Sequence, residues 1–161
     1  MTPPAPLVVG PLTRTDIVRY QGASGDFNPI HHDEPFATAS GLPAPIAVGM
    51  LPAGMLATWA TDWLGAADIR RFRVRFANPV FPGDTLTCSG RMVASTVDSA
   101  EVELEAVTQD GTVAVRAWAT FALPAAPVTP VDRGLGVVIG DQTTTPSPRS
   151  TSEEEGEGEG E

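Results

Sequence analysis

Both histidines of this 161-residue chain lie within residues 20–33, Tyr-Gln-Gly-Ala-Ser-Gly-Asp-Phe-Asn-Pro-Ile-His-His-Asp, together with the carboxylates best placed to work with them. Asp26 and His31 stand five positions apart. A helix would put them on different faces, but Pro29 biases Asn28 away from the right-handed helical region, and an Asn-Pro turn can fold a carboxylate and an imidazole toward one point. Such a pair can take a proton and give one back, which is the basis of general acid–base catalysis. Asp33 suits the start of a following helix better than catalysis. The adjacent His32 points away from His31, and no cysteine pair or second histidine cluster completes a zinc site. Phosphate-loop and dinucleotide glycine patterns are absent. So is the Gly-x-Ser-x-Gly elbow of a Ser-His hydrolase, which leaves Ser24 a structural, site-shaping residue. Chemistry without metal or redox cofactor is the expectation.

The run Ser-Gly-Asp-Phe-Asn-Pro-Ile-His-His-Asp, preceded by an aromatic residue, resembles the signature of the MaoC-like, or R-specific, enoyl-thioester hydratases and dehydratases. The resemblance implies that Asp26 and His31 are the catalytic pair and that Asn28 helps hold them, with Pro29 shaping the loop. The reaction it implies is addition of water to an enoyl thioester, or its removal from a 3-hydroxyacyl thioester. That reaction needs a proton acceptor, a proton donor and stabilisation of the enolate-like charge on the thioester oxygen. The last need points to Gly49, at the entrance of an apolar helix, where free N–H groups and the positive helix end converge. Related hydratases often read His-Gly-Met there, whereas this chain reads Val48-Gly49-Met50. Gly49 is equally readable as a close-packing glycine.

The same resemblance implies a substrate carried on coenzyme A or an acyl carrier protein, and a homodimer or a heteromer with a related subunit. Two other functions stay open. One is a non-catalytic or half-active subunit that completes a partner's site, which the intact Asp26 and His31 count against. The other is a thioesterase on the same fold.

Around the loop, the sequence predicts a helix over residues 13–23, capped by Thr13 with Asp16 three positions on and ended by Ser24-Gly25. A second short helix is expected by residue 40. No charge falls between Pro35 and Thr61, but prolines and glycines break the front half, so one buried helix over residues 50–64, apolar nearly all round, is expected. It is too short for a membrane span, which needs ~20 residues. From residue 69 the period becomes two. Arg71, Arg73 and Arg75 alternate with Phe72, Val74 and Phe76, and three longer strands follow over residues 85–95, near 101–106 and over 112–123, with Asp110-Gly111 as a hairpin turn. The arginine row offers a contact for coenzyme A phosphates or an acidic carrier protein, or else an ordinary solvent-facing strand. Cys88 reads as core. A buried helix followed by a long-stranded antiparallel sheet is α+β, the order of the single hot-dog fold that the resemblance implies over residues 1–124.

The formal charge of −10 is concentrated at one end. Residues 128–161 hold eight acidic residues and two arginines, a net of −6, so residues 1–127 carry −4. With almost no apolar residues to bury after Ile139, residues 125–161 are expected to form a disordered acidic tail. The acidic balance disfavours nucleic acid as a partner. A single cysteine excludes an internal disulfide, and residues 1–6 lack the basic and apolar pattern of a secretory signal, so a cytoplasmic location is expected.

Overall fold

Thr13 opens the first helix, α1 (Arg14–Ser24), with a reciprocal cap. Its side chain accepts from the Asp16 N–H, and the Asp16 carboxylate accepts from the Thr13 N–H at 2.9 Å. These bonds, the Thr13 hydroxyl foremost, hold the Asp16 carboxyl below the usual carboxylate range. Gly25, at φ 71°, ends α1 in the left-handed conformation that glycine adopts without steric cost. The 3₁₀ turn Pro29–His31 follows, then α2 (Glu34–Ala39), whose first turn is capped by Asp33 accepting from the Phe36 N–H at 2.9 Å. The computed structural model describes residues 1–123. The expected disordered tail lies outside the described residues.

The apolar helix α3 spans Met50–Leu64, with Pro52 in its first turn where no N–H is needed. Leu56, Trp59, Ala60 and Leu64 bury one side of it. The expected buried helix, apolar nearly all round, is buried on the side facing the sheet and not on the other. Met50, Gly54, Thr58 and Asp62 recur every four residues along an exposed stripe, because a sheet can wrap only one side of a cylinder.

That sheet has five strands, β1 (Leu7–Val9), β2 (Ile69–Phe76), β3 (Leu86–Ser95), β4 (Ser99–Thr108) and β5 (Val113–Ala122), in the order β1-β3-β4-β5-β2 with every neighbour antiparallel. The expected meander is β3-β4-β5, and Gly111, at φ 87°, turns β4 into β5. Strand β1 is an addition to the expectation, fixed by its register on β3 with Leu7 opposite Cys88. Ala100, Val102, Leu104 and Ala106 of β4 are buried, and the last three join Phe121 and Leu56 in the core between sheet and α3. Each fully buried large apolar side chain contributes about 1.5–3 kcal/mol. Gly90 permits the close approach. A Cβ there would lie 2.9 Å from Trp59 Cζ3 and 2.5 Å from Leu104 Cδ2. Trp59 also ties down the N-terminal segment by donating from Nε1 to the Ala5 carbonyl at 2.9 Å. Among the described residues no helix is long and apolar enough to cross a membrane.

Candidate active site

The loop between α1 and α2 folds by its own side chains. Asp26 Oδ1 accepts from the Asn28 N–H at 3.2 Å, and Asn28 Oδ1 accepts from the Ile30 N–H at 3.2 Å, so each residue caps the turn that follows it. Pro29 occupies the first position of the 3₁₀ turn, where its fixed φ suits the helix. Ser24 closes the back of the loop through long contacts of 3.4 Å to the Gln21 carbonyl and the Asp26 N–H. These turns deliver Asp26 and His31 to one point, with His31 Nε2 3.7 Å from Asp26 Oδ2.

His31 is held from its other side. Its Nδ1 lies 2.9 Å from the Ile46 carbonyl, and a carbonyl only accepts, so Nδ1 carries the hydrogen and Nε2 of the neutral ring presents a lone pair to Asp26. The imidazole is nearly buried, at 9% side-chain exposure, whereas the carboxylate is 42% exposed. The 3.7 Å gap is too long for a direct hydrogen bond.

His31 and Gly49 line the same open pocket of about 270 Å³, together with Phe76, Asn78 and Val80. No acceptor among the described residues takes the Gly49 N–H. Gly49 also answers to packing. A Cβ there would stand 3.1 Å from Phe76 Cε1, so both readings of this glycine rest on contacts in one place. Val48 is buried and does not line the pocket.

The structure does not bring the β2 arginines to this pocket. Arg71, Arg73 and Arg75 project from the sheet face opposite α3, and Phe72, Val74 and Phe76 face the helix side. Gln21 is a residue that sequence reasoning missed. It is 2% exposed, and its Nε2 donates to the Asp26 carbonyl at 2.9 Å, with the Asn28 carbonyl at 3.4 Å and His32 Nδ1 at 3.2 Å. A polar residue four positions after buried Ile17 on α1 was the available signal. Ile46 was legible only through the fold, because it acts through its backbone. Among the described residues no three His, Cys, Asp or Glu side chains gather to hold a metal ion.

The family model described as the MaoC like domain matches residues 3–115. The chain belongs to the MaoC-like domain family. It is 32% identical over 113 residues to the (R)-specific enoyl-CoA hydratase of Aeromonas caviae, covering 68% of this chain and 84% of that one. With the 3-hydroxyacyl-thioester dehydratase Y of Mycobacterium tuberculosis it shares 39% identity over 113 residues, 63% of this chain and 39% of that one. The chain therefore spans well under half the length of several curated relatives it matches. The solved structure of the A. caviae (R)-hydratase superposes with a TM-score of 0.67 at 29% identity, over 74% of this chain and 93% of that chain. A chain of the M. tuberculosis ChsH1-ChsH2 complex superposes equally, TM-score 0.67 at 26% identity, over 75% and 94%. The fold is thus the hot-dog fold of MaoC-like hydratases.

Proposed function

We propose that this MaoC-like protein hydrates enoyl thioesters to (R)-3-hydroxyacyl thioesters, or runs the reverse dehydration, with Asp26 and His31 as the working pair. The observation that carries this reading is the approach of His31 Nε2 to Asp26 Oδ2, 3.7 Å apart, with His31 lining one pocket together with Gly49, whose N–H has no acceptor among the described residues. A water held between the two acceptors is oriented by both its hydrogens. One O–H bond breaks as its oxygen bonds to the β-carbon, and the proton passes to one of the pair. Charge moves onto the thioester oxygen, where the Gly49 N–H and the positive end of α3 stabilise it. The enolate then takes the proton at the α-carbon. No net charge or cofactor is consumed.

The thioester carrier, coenzyme A or an acyl carrier protein, approaches from the open side of the pocket. The β2 arginines face away from it, so their assignment as a carrier contact has no support from the geometry. The exposed stripe of α3 and the unpaired outer edge of β2 are surfaces on which a homodimer, or a heteromer with a related hot-dog subunit, would close; the ChsH1-ChsH2 neighbour is itself a complex of two chains.

Purified protein incubated with crotonyl-CoA should bleach the enoyl absorbance without releasing thiol, and Asp26→Asn or His31→Ala should abolish the signal. Thiol release would instead assign a thioesterase. Turnover only after a second hot-dog subunit is added would assign a half-active subunit.

A further inference from the structure

Cross-strand register sorts the side chains on the sheet face away from α3 into two opposed stripes. Arg71, Arg73 and Arg75 of β2 stand opposite Thr120, Trp118 and Arg116 of β5. Those three in turn stand opposite Glu101, Glu103 and Glu105 of β4. Three guanidinium groups therefore run parallel to three carboxylates, in the same three rows, with β5 between them. Two strand spacings, about 9.6 Å, separate the stripes at the backbone. Among the described residues none of the three β2 arginines forms an ion pair, whereas Glu103 of the opposed stripe already pairs with Arg91 of β3, leaving Glu101 and Glu105 without a cation; the Arg73 guanidinium lies over the Trp118 ring at 5.8 Å from its centroid. The face is also indented. A depression of about 410 Å³ lies over β3, β4 and β5, walled by Arg91, Glu103, Glu105, Arg116 and Trp118.

We propose that this outer face is a self-complementary docking surface for a second copy of the chain, related by a two-fold axis running along β5. Rotation about that axis turns one sheet to face the other and exchanges the two sides of β5, so β2 of each copy comes to lie over β4 of its partner. Position along the strands is kept. Arg71, Arg73 and Arg75 of each copy then meet Glu101, Glu103 and Glu105 of the other, six opposite-charge contacts around a pair of Trp118 rings, with the arginines reaching into the depression. The charge pattern also selects against the competing arrangement. The axis along β5 sets one like pair, Arg116 on its own copy, against six opposite-charge contacts, whereas a two-fold axis lying across the strands would put every β2 arginine on arginine and every β4 glutamate on glutamate, and like charges that close repel. An interface built this way is isologous and closes on itself. Aligned sheets cross at about −30° and about 10 Å apart, so the middle row, Arg73 with Glu103, stays in register best. The pocket lies on the α3 side of the sheet and remains open.

The test is the solution mass of the full chain by sedimentation velocity at about 10 mM salt, where charges act over about 30 Å. Arg73→Glu and Glu103→Arg should each halve the mass of the unaltered protein, and raised salt should do the same. The chain carrying both changes should regain the original mass, because the swap restores the opposite-charge contact across the interface and brings the partner's new carboxylate over Arg91, which has lost Glu103 within its own chain. Should either reversal fail to fold by circular dichroism, Arg73→Gln and Glu103→Gln replace it and should each weaken association severalfold in concentration. Single reversals that leave the mass unchanged, or a double reversal that stays at the halved mass, would overturn the proposal. So would loss of acidic carrier-protein binding on Arg73→Glu with no change in mass, which would give the stripe to that carrier.

Discussion

Replacing Gln21 with methionine keeps the length and the apolar stem of the side chain and deletes only its amide. The amide nitrogen has two hydrogens, and in the folded chain they serve the Asp26 and Asn28 carbonyls and His32 Nδ1 at 2.9, 3.4 and 3.2 Å. At 2% exposure the site lets little water in to replace them. A buried acceptor left without a partner costs about 1–3 kcal/mol. The loop is otherwise open to solvent, so the lower part of that range, about 1–2 kcal/mol, applies. With a urea slope of about 1–3 kcal/mol per molar, the midpoint of unfolding should fall by about 0.5–1 M. The same carbonyls belong to the turns that aim Asp26 at His31, and a misplacement of about 1 Å costs up to 10²-fold in rate. Gln21→Met should therefore lower kcat for crotonyl-CoA hydration at least tenfold, with KM changed less. Gln21→Glu should be worse than methionine at neutral pH, since a carboxylate has nothing to donate to the carbonyls. A midpoint moved by less than about 0.2 M, with kcat within twofold of the unaltered protein, would falsify the claim that Gln21 holds the loop.

Gly90→Ala should be among the most damaging single methyl additions. Its Cβ would lie 2.8 Å from the Glu103 carbonyl oxygen, as well as 2.5 Å from Leu104 Cδ2. Overpacking against backbone that cannot move costs up to about 3 kcal/mol, seen as a Tm lower by roughly 5–15 °C. Val48→His, which gives the His-Gly-Met reading that the family resemblance implies, should destabilise by about 1–3 kcal/mol without raising turnover. Its side chain would be buried away from the pocket, where a polar ring is costly without a partner. Cys88 should resist alkylation at pH 8 until the protein unfolds, because burial pushes its thiol up to about 11 from 9.0. The sign for stability follows: the unfolded chain releases this proton first, so the thiol's contribution falls as pH rises from about 9 to 11. A pH titration of the unfolding midpoint, compared with Cys88→Ala, reads it directly.

The legible part of the candidate site was the part built from local turns. Asp26, Asn28, Pro29 and His31 cap and shape one another within six residues, and their relation is written in the chain from 26 to 31. Gln21 was legible only as a polar residue on the Ile17 face of α1, and its partners became visible once the loop folded back over it. The β2 arginines were legible as one face of a strand, since alternation with Phe72 and Val74 separates two faces. Which face looks toward the pocket depended on where β5 placed that strand.

By itself the sequence determined the elements whose causes are local. Thr13 and Asp16 set the start of α1, Gly25 its end, Pro52 the first turn of α3, and period-two alternation the long strands of the sheet. The signature loop determined which two side chains could do chemistry. Tertiary structure decided everything that depends on what lies across a gap. It set the Ile46 carbonyl against His31 Nδ1, fixing which ring nitrogen is free to act. It added β1, too short to announce itself by period, through its ladder to β3. It left one side of α3 bare, because composition records how apolar a helix is and not how far a sheet can wrap it. And it brought Glu101, Glu103 and Glu105 into the same rows as Arg71, Arg73 and Arg75, residues about 30 apart in sequence, a juxtaposition that only strand register can create.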